Sequence, residues 1–192
     1  MTRIEKGSSM HGESGYERVE NDAYWTPEWC TKALLKKVAL RGLIVEPAAG
    51  IGHIADVVRA AGYDVAEFDI VNRSNRPTLK IADFLKVDQL SLSREVSVVT
   101  NPPYVLAEEF VRHAIKLTKE REGMVAMLLR NEWDCAASRR DLFERPPFAK
   151  KLVLTKRPKW SAQDTASPRH NFSWFIWDWE YCYPHPVMEW GP

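Results

Sequence analysis

The sequence is short of cysteine, of long apolar runs and of net charge, and each shortage removes a class of protein. Its 192 residues include three cysteines, Cys30, Cys135 and Cys182. Their odd number and wide separation fit neither a disulfide framework nor a zinc-ligand spacing, so they read as free thiols and no metal site is expected. The longest unbroken aliphatic run, Met124 to Leu129, falls far below the roughly 20 residues that a bilayer span requires. The N-terminus lacks the apolar core of a signal peptide. A soluble, cytoplasmic protein with no membrane partner is expected. Lys and Arg total 27 against 26 Asp and Glu, a formal charge of +1, so there is no polybasic or polyacidic tail. With 45% hydrophobic and 28% charged residues the composition is ordinary for a globular chain, which excludes collagen and wholesale disorder. The length suits about one domain, and no internal repeat is evident. Tryptophan is what the chain has in excess: five of its eight (Trp160, Trp174, Trp177, Trp179, Trp190) fall in the last 33 residues.

Residues 1–20, rich in Gly and Ser among charges, carry no apolar period and are expected to form a flexible arm. Residues 21–192 are expected to form a single domain. Thr26 before Pro27 reads as a hydroxyl N-cap and a proline at the first helical position. Leu34, Leu35 and Val38 then recur at helical spacing, which predicts a helix over about 27–40. Leu43 to Glu46 is a short apolar run halted by Pro47 and glycines, and Ile54, Val57, Val58 and Ala61 keep a helical period up to Gly62. The pattern is strand, tight loop, helix. Further strands are predicted at Val65 to Ile70, around Leu79 to Ile81, at Val96 to Thr100 and at Met124 to Leu129, with a helix through Phe110, Val111, Ala114 and Ile115 and a short one over Arg139 to Glu144. Lys151 to Thr155 and Phe172 to Trp179 read as strands joined by a polar loop without a helix, hence a hairpin. The fold class expected is α/β: a Rossmann-like, doubly wound, mostly parallel seven-stranded sheet with a C-terminal antiparallel hairpin. The tryptophans of the last strand occupy both of its faces and read as core.

Glu46-Pro47-Ala48-Ala49-Gly50-Ile51-Gly52 lies at the carboxyl end of the first strand, where doubly wound sheets bind ligands and glycine lets backbone approach them closely. Asp69, about 20 residues on, stands where an acid accepts hydrogen bonds from ribose hydroxyls in dinucleotide folds, and Ile70 beside it counts as a second contact. Glu67 offers the same chemistry; position at the strand end favours Asp69. Asp83-Phe84 could hold an adenine amino group and cover its ring. Asn101-Pro102-Pro103-Tyr104 follows the fourth strand directly. Two prolines cannot extend a ladder, so the chain leaves the sheet as a rigid loop. There the Asn101 side chain and the Pro102 carbonyl can accept both hydrogens of one amino group, turning its lone pair outward, while Tyr104 offers a ring face for a planar group.

These residues resemble the class I S-adenosylmethionine-dependent methyltransferases, in particular the amino-methyltransferases whose signature is Asn-Pro-Pro-Tyr. The resemblance runs from about Tyr24 to Trp179 and implies S-adenosyl-L-methionine as cofactor. It assigns the methionine end to Glu46, Ala48, Gly50 and Gly52, the ribose to Asp69, the adenine to Asp83, and catalysis to Asn101, Pro102 and Tyr104, with Asn101 counted among the cofactor contacts as well. Tyr24-Trp25-Thr26-Pro27 looks like the family's cofactor-lid segment, placing Trp25 and Thr26 at the cofactor and giving the order of adenine-specific DNA methyltransferases. The third glycine of the usual loop is missing; Ala48 stands among its small residues. The implied reaction is direct in-line displacement by the amino nitrogen, with no covalent enzyme intermediate, so positioning and electrostatics dominate. No cysteine lies in a Pro-Cys pair, which argues against cytosine ring-carbon methylation.

Family members acting on duplex DNA take the base out of the stack and normally carry a separate recognition domain; none is expected within this length. The stretch from Arg130 to His170 is the substitute, with ten Lys or Arg against five acids. Its charge is interleaved with Trp133, Phe148 and Trp160, which suits a nucleic-acid backbone and stacked bases. Pro103, Tyr104, Trp160, Arg169 and His170 are therefore the expected substrate contacts. N6-adenine in DNA is the favoured target. RNA adenine or guanine amino groups, a protein glutamine amide and a catalytically silent cofactor-binding subunit are the alternatives, and a homodimer is a further expectation.

Overall fold

A computed structural model describes residues 25–88, 95–144, 147–160 and 168–192. The expected arm over 1–20 and Tyr24 lie outside the described residues. Among the described residues, three α-helices and eight strands make the framework: α1 (Glu28–Lys37), β1 (Leu43–Glu46), α2 (His53–Ala60), β2 (Val65–Asp69), β3 (Leu79–Ile81), β4 (Val96–Thr100), α3 (Ala107–Lys119), β5 (Met124–Arg130), β6 (Phe148–Leu154), β7 (Phe172–Asp178) and β8 (Val187–Gly191). The sheet order is β3-β2-β1-β4-β5-β7-β6-β8. Strands β1 to β5 run parallel, and β7 is antiparallel to both β5 and β6. The doubly wound sheet and its closing hairpin are as expected.

Helices α1 and α2 cover one face, where Leu34, Ile54 and Val58 meet Ile44, Leu128 and Trp174. On the other, Phe110, Val111 and Ala114 of α3 meet Val45, Val98, Met127 and Phe175. The period of two along β7 sends Trp174 and Ile176 to the first face and Phe175 and Trp177 to the second. Both indoles are buried with their N–H groups satisfied, Trp174 donating to the Cys30 carbonyl and Trp177 to that of Leu142, each at 2.8 Å. A buried indole without such a partner would forfeit a hydrogen bond. Cys30 is buried, Cys135 and Cys182 are exposed, and all three are free thiols. No helix among the described residues is long and apolar enough to cross a membrane.

The structure differs from expectation in three places. The sheet has eight strands rather than seven, because Val187–Gly191 pairs in parallel with β6 along the outer edge. Met188 and Trp190 on it are more than half exposed, so no buried alternation marked it. The short helix expected over Arg139 to Glu144 is a 3₁₀ helix and lies two residues earlier, over Ala137–Leu142. Thr26 does not cap α1: Pro27 is the N-cap residue and no side chain bonds the helix start. The threonine lies one residue too far out, and its hydroxyl is engaged elsewhere.

Candidate active site

The order β3-β2-β1-β4-β5 reverses direction between β1 and β4. The loops leaving those two strands diverge to opposite faces and open a crevice at the carboxyl ends, the place where open α/β sheets take ligands. The glycine loop leaves β1 and Asn101 to Tyr104 leaves β4, so the topology brings the two sequence motifs to one crevice.

The glycine loop is held from below. Gly50 and Gly52 have φ of 56° and 88°, left-handed conformations that disfavour any side chain. A Cβ on Gly52 would lie 2.3 Å from the Arg76 guanidinium carbon. Arg76 donates to the Ile51 carbonyl at 3.1 Å and pairs with Asp56 and Glu67. A Cβ on Gly50 would meet nothing within 4 Å; that side of the loop is open. Glu46, 1% exposed, accepts from the Ala55 N–H at 2.8 Å. It thereby caps α2, whose N-cap Gly52 has no side chain to do so. Burial pushes its carboxyl well above the usual range, opposed by that N–H. Ala48 packs partly buried against the α3-side core.

The choice between the two acids of β2 is decided by their neighbours. Glu67 is buried and held by Arg59, Arg76 and the Thr78 hydroxyl, so it is a structural anion. Asp69 accepts from the Gly50 N–H at 2.8 Å and the Val71 N–H at 3.1 Å, which ties β2 to the glycine loop. The Arg73 guanidinium also pairs with Oδ1 at 3.7 Å, too long for a hydrogen bond, so each oxygen keeps a second lone pair. Ile70, immediately after, is 59% exposed. Asp83 caps the short helix after β3 through the Leu85 N–H at 3.1 Å and pairs with Lys86. Phe84 departs from its expected role as a ring cover: it is 4% exposed and its ring is taken up by Phe110 and His113 in the core.

Across the crevice, the Asn101 amide donates from Nδ2 to the Thr26 hydroxyl at 3.2 Å, while its Oδ1 is buried with no partner among the described residues. Thr26 is itself buried, and its carbonyl lies 3.2 Å from Nδ1 of His53. Trp25 stands half exposed, edge-on to the His53 ring at 6.1 Å. Pro102 is buried and Pro103 partly so. The Tyr104 ring lies 6.4 Å from Trp160 and 5.9 Å from Phe172. The structure thus brings Trp160 beside the Asn-Pro-Pro-Tyr loop, and Phe172 joins it, a neighbour that nothing in the sequence singled out.

The basic stretch divides. Arg140, Lys150 and Lys151 pair with Glu144, Glu189 and Asp134, and Arg139 lies over the Trp133 ring at 4.4 Å and pairs with Glu108. Among the described residues, no carboxylate lies within ion-pair distance of Arg130, Lys156, Arg157, Lys159 or Arg169. Arg130 is the last residue of β5, in register with Phe172, whereas Lys156, Arg157 and Lys159 follow β6 and Arg169 precedes β7. Arg157 donates to the Asn171 side chain and the Pro168 carbonyl, pinning the start of β7. Arg169 and His170 are exposed; partial burial and the charge of Arg130 keep the imidazole below its usual pKa.

No protein-family model and no curated protein matches the sequence. Solved structures similar to this chain include the methyltransferase subunit of a type I restriction-modification system from Streptococcus thermophilus, at 14% identity and a TM-score of 0.58 over 81% of this chain and 45% of that one. A Listeria monocytogenes protein provisionally assigned to the class I S-adenosylmethionine-dependent methyltransferases matches at 14% identity and a TM-score of 0.58, over 93% of this chain and 68% of that one. The 23S rRNA methyltransferase ErmE matches at 14% identity and a TM-score of 0.54, over 86% and 72%. The chain spans less than half the length of the restriction-modification subunit. At these identities the likeness is one of fold: the Rossmann-like sheet with its antiparallel hairpin is common to this chain and to these proteins.

Proposed function

We propose that the protein is an S-adenosylmethionine-dependent methyltransferase, acting in the cytoplasm on an exocyclic amino nitrogen, foremost N6 of adenine in DNA. The observation that carries this reading is the buried, unpartnered Oδ1 of Asn101, on the loop that leaves β4 at the switch point of the sheet, next in strand order to β1, whose loop holds the left-handed glycines. A buried acceptor without a donor costs about 1–3 kcal/mol, a cost that an incoming amino group removes.

The residues fit the cofactor. The open side of Gly50 leaves room for its main chain to approach the methionine end, the spare lone pairs of Asp69 suit ribose hydroxyls, and Ile70, Trp25 and Asp83 supply apolar and polar contact for the base. When bound, the cofactor supplies an electrophilic methyl group. Asn101 and the Pro102 carbonyl then hold the two hydrogens of the substrate amino group and aim its lone pair, and the Tyr104 ring stacks on the base, with Pro103 beside it. No strong base is required, since the nitrogen becomes acidic once methylated. Trp160 extends the stacking surface, and Arg130, Arg157, Arg169, Lys156 and Lys159 suit a phosphodiester backbone. Of the solved structures similar to this chain, ErmE is named for 23S rRNA and another is a restriction-modification methyltransferase subunit, which supports a nucleic-acid substrate in class.

The test is expression in a host lacking its own adenine methylation, followed by mass spectrometry of nucleosides from DNA and RNA separately. N6-methyladenine in DNA that disappears with Asn101→Ala is the expected result. Methylation confined to RNA moves the substrate to RNA, and no methylated nucleoside in either overturns the reading.

A further inference from the structure

The contact between Thr26 and Asn101 spans 75 positions of sequence and joins two segments that lie on opposite sides of the glycine loop in chain order. Thr26 is 4% exposed, and its peptide is held a second time through His53, the first residue of α2. The hydroxyl is therefore mounted on a fixed part of the fold and has no helix to cap. An amide side chain turns about a soft, broad torsion unless one of its ends is tied. With the NH₂ end of Asn101 committed to Thr26, the carbonyl end is the one left over, and it is the buried acceptor without a partner.

We infer that Thr26 is a positioning residue for the transfer step: its hydroxyl holds the Asn101 amide so that Oδ1 presents to the substrate amino group. This goes beyond a place for Thr26 at the cofactor and rests on the proposed methyl transfer. Its consequence is a split between turnover and affinity. Reacting groups tolerate little displacement, and a misplacement on the order of 1 Å costs about a hundredfold. Thr26→Val, which keeps the shape and removes the hydroxyl, should lower kcat at saturating cofactor by about ten- to a hundredfold, with a smaller loss of cofactor affinity and a thermal midpoint lowered by only a few degrees. Thr26→Ser should restore most of the rate.

Two measurements on the full chain decide it. The first is the steady-state kcat and KM of the wild type, Thr26→Val and Thr26→Ser, with cofactor Kd by calorimetry. The second is the ¹H–¹⁵N spectrum of the side-chain amides without ligand, in which the Asn101 pair is identified by its loss in Asn101→Ala. The inference holds if the Asn101 NH₂ signals move in Thr26→Val and return in Thr26→Ser alongside kcat. It is overturned if those signals do not move, if kcat at saturating cofactor is unchanged, or if the whole defect lies in cofactor Kd. A wild type without transfer activity overturns the methyltransferase reading instead, and the amide spectrum still reports whether Thr26 holds Asn101.

Discussion

The two ends of the strands are built on opposite terms. At the amino end, Arg41 binds Glu95, Asp178 and the Glu122 carbonyl at 2.5–3.2 Å, so one guanidinium staples β4, β5 and β7 where they meet. At the carboxyl end, Asn101 keeps an unsatisfied carbonyl and Trp25, Ile70, Ile81 and Val105 stand at least half exposed. A fold minimises unpaired polar atoms and exposed apolar surface wherever nothing else is required of it. Tyr183 and Met188, in and after the β7–β8 connection, are likewise more than half exposed, so it is the unpaired Asn101 carbonyl, rather than exposed apolar surface, that sets the carboxyl end apart. The glycine loop lies between these regimes, its underside saturated by Arg76 and Asp69 and its upper side open at Gly50.

The sharpest way to break this comparison is Asn101→Ala, which removes the open acceptor without touching the saturated framework. It should reduce kcat by about a hundred- to a thousandfold, the scale for losing one aligned polar group in a catalytic site, with cofactor affinity retained. Comparable turnover in the mutant would remove Asn101 from catalysis. Next in size is Glu67→Ala, which attacks the framework alone. Arg59 and Arg76 would lose their shared buried carboxylate, lowering stability by about 3 kcal/mol, to be read from urea midpoints. Burial pushes the Glu67 carboxyl up, but its bonds to Arg76 and Arg59 outweigh that and hold it below its ordinary 4.5. The stabilisation is therefore fully present above about pH 4.5 and is lost as pH falls through the lower folded value. Glu67→Gln should flatten that acid limb; an unchanged limb would mean the pair carries no linkage.

Asp69→Ala should weaken cofactor binding by about tenfold, close to 1.4 kcal/mol, while kcat at saturation changes little. An unchanged Kd would place the ribose contact elsewhere. The smallest effect separates the paired cations from the others. Arg169→Ala should weaken oligonucleotide binding a few-fold and reduce the salt dependence by about one counterion, whereas Arg140→Ala, already paired with Glu144, should leave both unchanged. Equal effects would show that pairing does not distinguish them.

Much of this was legible because local chemistry dictated it. Pro102 and Pro103 must end β4, glycine must occupy the left-handed positions 50 and 52, and the apolar periods of α2, α3 and β5 announce their elements. The hairpin was legible from two apolar stretches with no helix between them. β8 was not, since an exposed edge strand owes its existence to the hydrogen bonds of β6 rather than to its own pattern. Phe84 misled for a related reason: its neighbour Asp83 caps a turn, and the ring follows that turn into the α3 core.

The sequence by itself determined the class of fold, the two loops that face the crevice and the ordinary composition of a globular domain, because periodicity, glycine and proline act over a few residues. Only the tertiary structure decided which acid of β2 remained available, which cations kept their charge unpaired, and that the Thr26 hydroxyl meets Asn101. Each of those depends on residues distant in the chain: Arg76 against Glu67, Asp134 against Lys151, position 26 against position 101. An electrostatic or hydrogen-bonding role belongs to a pair, and a pair exists only once the chain has folded.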